Sequence, residues 1–162
     1  MAGLNGGRIL LAILGALIWG VGLMAHASAQ SSPPVFARSE VTIATGDGRR
    51  HLFHVEVATT ADQQAYGLMF RRQLPPDAGM LFDYGHDRVV SMWMKNTLIP
   101  LDMVFIRGDG RIVNIVERAV PGSLEPRSSE EKVRGVLELN GGTADRLGLK
   151  PGDRILHPSF RN

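Results

Sequence analysis

Short segments in which apolar and polar residues alternate constrain the fold of this chain more than any other feature. Residues 40–44 and 51–57 alternate in this way, and Gly46, Asp47 and Gly48 lie between them. Alternation with a period of two predicts strands buried on one face, and a glycine-rich turn between two such segments predicts a hairpin. Short apolar and β-branched runs bounded by turn residues predict six further strands, at residues 79–84, 88–96, 101–107, 111–117, 133–139 and 153–157.

Two short helices are predicted between these strands. Thr60 precedes Gln63 by three positions, the spacing of a capping box, and opens a helix that extends to Leu68. Thr143 opens a second short helix, which Gly148 ends. Because strands do not alternate with long helices, a βαβ rhythm is not expected. The predicted fold class is mainly β (α+β), a small closed or partly open β-barrel-like domain with two short helices.

Residues 121–132 interrupt the series of strands. This segment contains two prolines and three serines and shows no periodicity, so we predict a surface loop. A loop of this length in a small domain is either an insertion or a lid over a site.

The charge balance and the absence of cysteine exclude several classes of function. The 162 residues contain 18 Lys and Arg and 16 Asp and Glu, a formal net charge of +2. Nucleic-acid-binding proteins carry a clustered basic face, and a net charge this small gives no sign of one. No nucleic-acid partner is therefore expected. Because the chain contains no cysteine, it has no disulfide, no thiol nucleophile and no thiolate metal site.

The first 29 residues have the pattern of a secretory signal peptide. Arg8 precedes an uncharged apolar run, and Ala27 and Ala29 then form an A-x-A cleavage pattern. A positive start, an apolar centre and small residues at the end predict cleavage before Gln30. Cleavage before Ser28 is the second choice.

The signal pattern determines the expected domain organisation and location. We predict a signal peptide at 1–29, a linker at 30–39 and a single β-rich domain at 40–158. The mature domain is expected in the periplasm or secreted, and it would meet the membrane only transiently through the signal segment. An uncleaved membrane anchor is the alternative, because the apolar run is close to the shortest that spans a bilayer.

Charged residues in apolar segments provide the candidate site. Lys95 ends one predicted strand and Asp102 begins the next, so a two-residue loop would place their side chains opposite each other. Glu138 is the one charge between Val136 and Asn140. Because a buried charge is costly unless it is paired, these groups either support the fold or line a polar pocket. With the neighbouring stacking and hydrogen-bonding groups, the candidate ligand-binding cluster is Arg71, Trp93, Lys95, Asn96, Asp102, Glu138 and Asn140.

Several motifs together resemble one known family. They lie at residues 67–71 (GLMFR), 79–82 (GMLF), 92–97 (MWMKNT), 99–106 (IPLDMVFI), 136–142 (VLELNGG) and 152–153 (GD). In this order and spacing they are similar to the bacterial and archaeal family known as domain of unknown function 192, over about residues 57–156. The resemblance implies a small β-rich fold, frequently behind an export signal, with no established reaction, cofactor or catalytic residue.

Metal binding has weaker support in the sequence. Met92 and Met94 fall on one face of a predicted strand, and a thioether pair could bind Cu(I). Methionine in such a strand more often fills a core, and the histidines that remain after cleavage are scattered. They are His51, His54, His86 and His157. No metal and no cofactor are therefore expected.

These observations leave different classes of function open. A non-enzymatic exported module that binds a small ligand or a cell-envelope partner is expected first. The alternative is a cell-envelope hydrolase or lyase that uses Asp102 and Glu138 as general acid and base. A minor alternative is PDZ-like peptide binding, because residues 67–70 (GLMF) resemble a carboxylate-binding loop, although Met69 replaces its second glycine.

Overall fold

A curled β-sheet with two short helices forms the described part of the chain, residues 32–160, in the computed structural model. The elements are β1 (Ala37–Ala44), β2 (Arg50–Ala58), α1 (Ala61–Tyr66), β3 (Ala78–Arg88), β4 (Ser91–Met92), β5 (Leu101–Ile106), β6 (Ile112–Ala119), β7 (Arg127–Ser128), β8 (Val133–Asn140), α2 (Thr143–Leu147) and β9 (Arg154–Leu156). Seven strands form the sheet in the order β6-β5-β8-β3-β2-β1-β9, and β4 pairs with β7 separately. The predicted mainly β, partly open barrel-like fold is therefore confirmed.

The predicted signal peptide at 1–29 lies outside the described residues. Within residues 32–160, no helix has the length and apolar character needed to cross a membrane. The first strand, β1, begins slightly before the predicted start of the domain, at Ala37.

One connection differs from the prediction. β2 and β3 are parallel neighbours, and α1 lies in the segment that joins them. This helix begins with the predicted capping box, in which the Gln63 N–H donates to the Thr60 hydroxyl (3.3 Å) and the Thr60 N–H donates to the Gln63 side-chain oxygen (3.1 Å). Because α1 has only six residues, the strand–helix–strand alternation typical of a parallel crossover is not visible in the sequence.

The inside of the curled sheet carries the first of two apolar layers, which we call the inner layer. The edge strands β6 and β9 approach each other at one end, where the Ile112 N–H donates to the Asp153 carbonyl (2.8 Å) and the Ile155 N–H donates to the Gly110 carbonyl (2.8 Å). α2 packs into the same layer. The inner layer includes Val41, Ile43, Val55, Leu81, Val104, Leu137, Leu139, Ala144 and Leu147.

The opposite face of the central strands carries the second apolar layer, which we call the outer layer. Its strand residues include Met80, Phe82, Met103, Phe105 and Val136. Side chains from the connecting segments, among them Leu68, Val90 and Met94, are buried in the same layer. The central strands are therefore covered on both faces, which explains why β5 is buried at every position.

The predicted strand at 88–96 is wrong apart from β4 and the end of β3. The residues of β4 pair with β7, which lies inside the predicted loop at 121–132. Beyond β4, the Met94 N–H donates to the Ser123 carbonyl (2.9 Å). The segment at 121–132 therefore supplies the backbone hydrogen-bond partner that a neighbouring strand would supply in a sheet. The apolar run covers the outer layer by burying Val90 and Met94, and it does not extend the sheet.

Candidate functional site

Asp102 is the first of two buried carboxyls on neighbouring central strands. It lies in β5 opposite Leu139, on the inner face, and is fully buried. Its carboxylate accepts hydrogen bonds from the backbone N–H groups of Arg118 (2.8 Å), Gly142 (2.9 Å) and Ala144 (2.7 Å). Arg118 has a φ of 48° at the irregularity between β5 and β6, and Gly142, the N-cap of α2, has no side chain that could cap the helix. Asp102 therefore links β5 to the irregular start of the β5–β6 pairing and to the N-terminus of α2. This role is structural.

The predicted pair of Lys95 and Asp102 is wrong. β5 pairs with β6 and β8, and the preceding segment turns where the Thr97 N–H donates to the Met94 carbonyl (3.0 Å). Lys95 is exposed, and its Nζ lies 5.3 Å from the centroid of the Trp93 ring. The expected cross-strand register fails because the strand that would carry Lys95 does not form.

Glu138 is the second buried carboxyl and lies on the outer face. β8 places it opposite Met80 of β3 on one side and Met103 of β5 on the other. It is 4% exposed, and its carboxyl has no hydrogen-bond or ion-pair partner among residues 32–160. Burial alone raises the pKa of Glu138 to about 8. At neutral pH the carboxyl is therefore mainly protonated and offers one donor as well as an acceptor.

A small pocket of about 100 Å³ gives access to Glu138, and we call it the Glu138 pocket. The C-terminal end of α1 with the loop that follows it, β3, and the segment from β4 to Thr97 form its walls. Apart from Glu138, its polar lining consists of Gln64, Tyr66, Tyr84, Ser91, Lys95 and Thr97, and its larger apolar lining consists of Leu68, Met69, Phe82, Met92 and Trp93.

Tyr84 is a pocket residue that sequence reasoning missed. Its hydroxyl donates to the Met92 sulfur (3.2 Å). Burial, followed by the charge of Glu138, raises the pKa of Tyr84 to about 12, so the phenol stays protonated at neutral pH. The available signal was the alternation in β3, which places Tyr84 on the same face as Met80, the cross-strand neighbour of Glu138.

Three predicted site residues do not line the Glu138 pocket, although Asn96 lies beside it. Arg71 forms an ion pair with Glu56. Asn96 adopts a φ of 56° and shapes the turn after Lys95. Asn140 donates its amide to the backbone carbonyls of residues 74 and 75 (both 3.0 Å). From the predicted cluster, the structure brings together in the pocket Trp93, Lys95 and Glu138.

The predicted acid–base pair of Asp102 and Glu138 does not share a cleft. The β5–β8 register sets Met103 opposite Glu138, one residue beyond Asp102. Because successive side chains of a strand point to opposite faces, one carboxyl lies in the inner layer and the other in the outer layer. Glycoside hydrolysis by two carboxyls requires both in one cleft, so this version of the hydrolase alternative is wrong.

The methionines and histidines considered as metal ligands have other contacts. Met94 is buried in the outer layer, and Met92 packs against the same layer while its sulfur accepts a hydrogen bond from Tyr84. The imidazole of His157 is within hydrogen-bond distance of the Ser39 hydroxyl (3.0 Å) and accepts from the Ser159 N–H (3.1 Å). In the part of the chain that the structure describes, no group of three or more His, Cys, Asp or Glu side chains is close enough to hold a metal ion.

In the loop at 67–70, three of the four backbone N–H groups are already used within the chain, unlike those of a PDZ-like site. The N–H groups of Gly67, Met69 and Phe70 all donate to backbone carbonyls of the chain itself. A loop that binds a terminal carboxylate must offer such groups to the ligand. The similarity to a carboxylate-binding loop is therefore confined to the sequence.

Two crystal structures resemble this chain over most of its length. A protein from Sinorhizobium meliloti 1021, described provisionally as a transcription regulator, is 50% identical with a TM-score of 0.77, and the match covers 80% of this chain and 100% of that chain. A protein of unknown function from Novosphingobium aromaticivorans DSM 12444 is 40% identical with a TM-score of 0.73, and the match covers 79% of this chain and 94% of that chain. No curated protein matches the chain significantly. The model of the DUF192 family, described as "Uncharacterized ACR", matches residues 42–157, and the chain therefore belongs to this family.

Proposed function

We propose that this protein is an exported module that binds a small polar ligand in the Glu138 pocket. The observation that carries the proposal is a carboxyl that is 4% exposed, lines a pocket and has no partner among the described residues. A buried carboxyl without a partner costs free energy of folding, and such groups concentrate where a ligand supplies the partner. Binding at Glu138 would offset this cost.

Binding is favoured over catalysis because the pocket contains a single carboxyl. Within the described residues, its lining includes no second carboxylate and no histidine that could exchange a proton with Glu138. A hydrolase or lyase of the kind predicted from the sequence needs two such groups around the reacting bond. Glu138, Lys95 and Trp93 are therefore better suited to binding a ligand than to acid–base catalysis.

Regulation of transcription, the role suggested for the similar S. meliloti protein, is not carried over to this chain. The helices among residues 32–160 have six and five residues, too short to lie along a DNA groove as a recognition helix does. The net charge of +2 also offers little attraction to a phosphate backbone. A small-molecule ligand or a cell-envelope component agrees better with these features.

Export is supported by the sequence of residues 1–29, which lie outside the described structure. The test is the intact mass of the protein recovered from the envelope fraction of the cells that make it. We expect a mature N-terminus at Gln30, or at Ser28 as the lesser product. Recovery of the chain with Met1 intact would overturn the proposal of a cleaved, periplasmic or secreted protein.

Ligand binding is tested by NMR titration of ¹⁵N-labelled protein with acetamide, acetate, methylamine and glycine. At least one of these probes should shift the Trp93 indole and the Gly67 and Thr97 amide signals in a saturable way, because these residues line the pocket. Glu138→Gln should change the affinity, whereas Glu130→Gln, at an exposed carboxyl, should leave it unchanged. If none of the probes shifts the pocket signals, the proposed binding function is wrong.

A further inference from the structure

The groups that line the Glu138 pocket differ in charge between its floor and its rim. At the floor, the Glu138 carboxyl is almost fully buried and has no cationic partner within residues 32–160. At the rim, Lys95 is exposed and its Nζ lies over the Trp93 ring, 5.3 Å from the ring centroid. An acidic group inside and an ammonium group outside are therefore both free to contact a ligand.

The walls of the pocket suit an ammonium group next to Glu138. Aromatic rings line it on several sides, from Tyr66, Phe82, Tyr84 and Trp93. Aromatic faces attract organic cations, and a carboxylate supplies the counter-charge that a desolvated ammonium group requires. Glu138 is mainly protonated at pH 7 without a ligand, so an ammonium group bound beside it would lower its pKa and release its proton to solvent. An anion at the same depth would have no buried cation to meet.

The volume of the pocket restricts the ligand to a few non-hydrogen atoms. About 100 Å³ is less than the cavity of about 150 Å³ that can hold one benzene ring. A charged ligand of this size carries its charges within one or two carbon atoms of each other, and both Glu138 and Lys95 line the pocket that it would fill.

We propose that the Glu138 pocket binds a small zwitterion, with its ammonium group against Glu138 and its carboxylate at Lys95. This inference rests on the proposed function and narrows it to one class of ligand, of which glycine is the smallest member. The two ends also determine the orientation, because a reversed ligand would place like charges together.

The test compares the affinities of four probes at pH 7, measured from the same pocket signals. Glycine carries both charges, methylamine only the ammonium group, acetate only the carboxylate, and acetamide neither. Glycine should bind at least tenfold more tightly than any of the other three. Such a ranking depends on the wild-type protein alone, so it does not require a variant to fold.

Two variants assign each end of the ligand to its residue. Glu138→Gln should weaken glycine and methylamine by tenfold or more and leave acetate almost unchanged. Lys95→Gln should weaken glycine and acetate by two- to fivefold, a smaller effect because Lys95 is exposed. Lys132→Gln, which removes an exposed ammonium group away from the pocket, should change none of these affinities.

The outcomes separate this inference from the proposed function. If acetamide, acetate or methylamine binds as tightly as glycine, the pocket binds ligands but the zwitterion assignment is wrong. The zwitterion assignment is also wrong if Lys95→Gln weakens methylamine and leaves glycine unchanged. If none of the four probes shifts the pocket signals, the proposed function fails together with the inference.

Discussion

Asp102 and Glu138 are both buried acidic residues on neighbouring strands, and their surroundings differ completely. The carboxylate of Asp102, in the inner layer, accepts three backbone hydrogen bonds from a bulge and from the start of α2. The carboxyl of Glu138, in the outer layer, lies between two methionines of the adjacent strands and has no partner among the described residues. One carboxyl stabilises the fold, and the other is retained at a cost to the fold.

This difference shows that burial of an acidic residue does not indicate its role. Both residues are acidic positions in apolar segments of the sequence, and they look alike there. They differ in the number of backbone N–H groups that donate to the carboxyl. This number depends on the face of the sheet and on the loops that cover it. The contrast leads to three predictions with decreasing effect on stability.

The largest effect is expected for Asp102→Ala. The change leaves three backbone N–H groups without their acceptor, and the Ala144 N–H is buried. Unsatisfied buried donors cost about 1 to 3 kcal/mol each, so we expect the free energy of unfolding to fall by about 3 to 5 kcal/mol. Urea unfolding followed by circular dichroism measures it.

Asp102→Asn is the matched control for this variant. It keeps the shape and one carbonyl acceptor but loses the charge, so it should lose roughly half as much stability, about 1 to 3 kcal/mol. A loss below about 1 kcal/mol for Asp102→Ala would contradict the structural role.

Glu138→Gln is expected to have a smaller effect on the free energy of unfolding, and the size of this effect depends on pH. The pKa of Glu138 is about 8 in the folded chain against an ordinary value of 4.5, so the folded protein holds an extra proton between these pH values. The free energy of unfolding of the wild type therefore falls as pH rises from 4.5 through 8, whereas Glu138→Gln loses this contribution. Near pH 5 the two proteins should be almost equally stable, and above pH 8 the variant should be more stable by on the order of 2 to 4 kcal/mol.

Thermal melts across this pH range, without added ligand, measure the difference between the two proteins. His157, whose pKa is lowered by burial, titrates in both and cancels in that difference. Glu130→Gln should follow the wild type at every pH, because its carboxyl is exposed. A variant that is less stable than the wild type above pH 8 would mean that Glu138 has a stabilising partner.

The smallest effect is expected for the coupling between Lys95 and Asp102. Lys95 is exposed and contacts Trp93, so Lys95→Gln should change stability by less than about 1 kcal/mol. A double-mutant cycle with Asp102→Ala should be additive within about 0.5 kcal/mol, because the two residues share no partner. A coupling energy of about 2 kcal/mol or more would restore the ion pair expected from the sequence.

Much of the fold could be predicted from the sequence because β1, β2 and β6 each bury one face. Apolar residues therefore recur at every second position in these strands. β5 and β8 are covered on both faces, and their length and turns identified them instead. The segment at 88–96 is equally apolar but covers the outer layer. Its backbone partners come from the distant segment at 121–132, and single-chain periodicity contains no information about such partners.

The candidate site was predictable only in part for the same reason. Glu138 stood out as the one charge between Val136 and Asn140, which is a local signal. Lys95 and Trp93 were recognised, but their position beside Glu138 depends on how the loops fold over the outer layer. For Tyr84, the alternation in β3 gives its face of the strand, but its position near Glu138 follows only from the pairing of β3 with β8.

The central claim is that Glu138 is a buried carboxyl without a partner among residues 32–160. The most direct test is a ¹³C NMR titration of its side-chain carboxyl, with Glu138→Gln used to assign the signal. The structure predicts a titration midpoint near pH 8. A midpoint near the ordinary value of 4.5 would show that water, a cation or a hydrogen-bond donor already stabilises the carboxylate, and would contradict the proposed binding site.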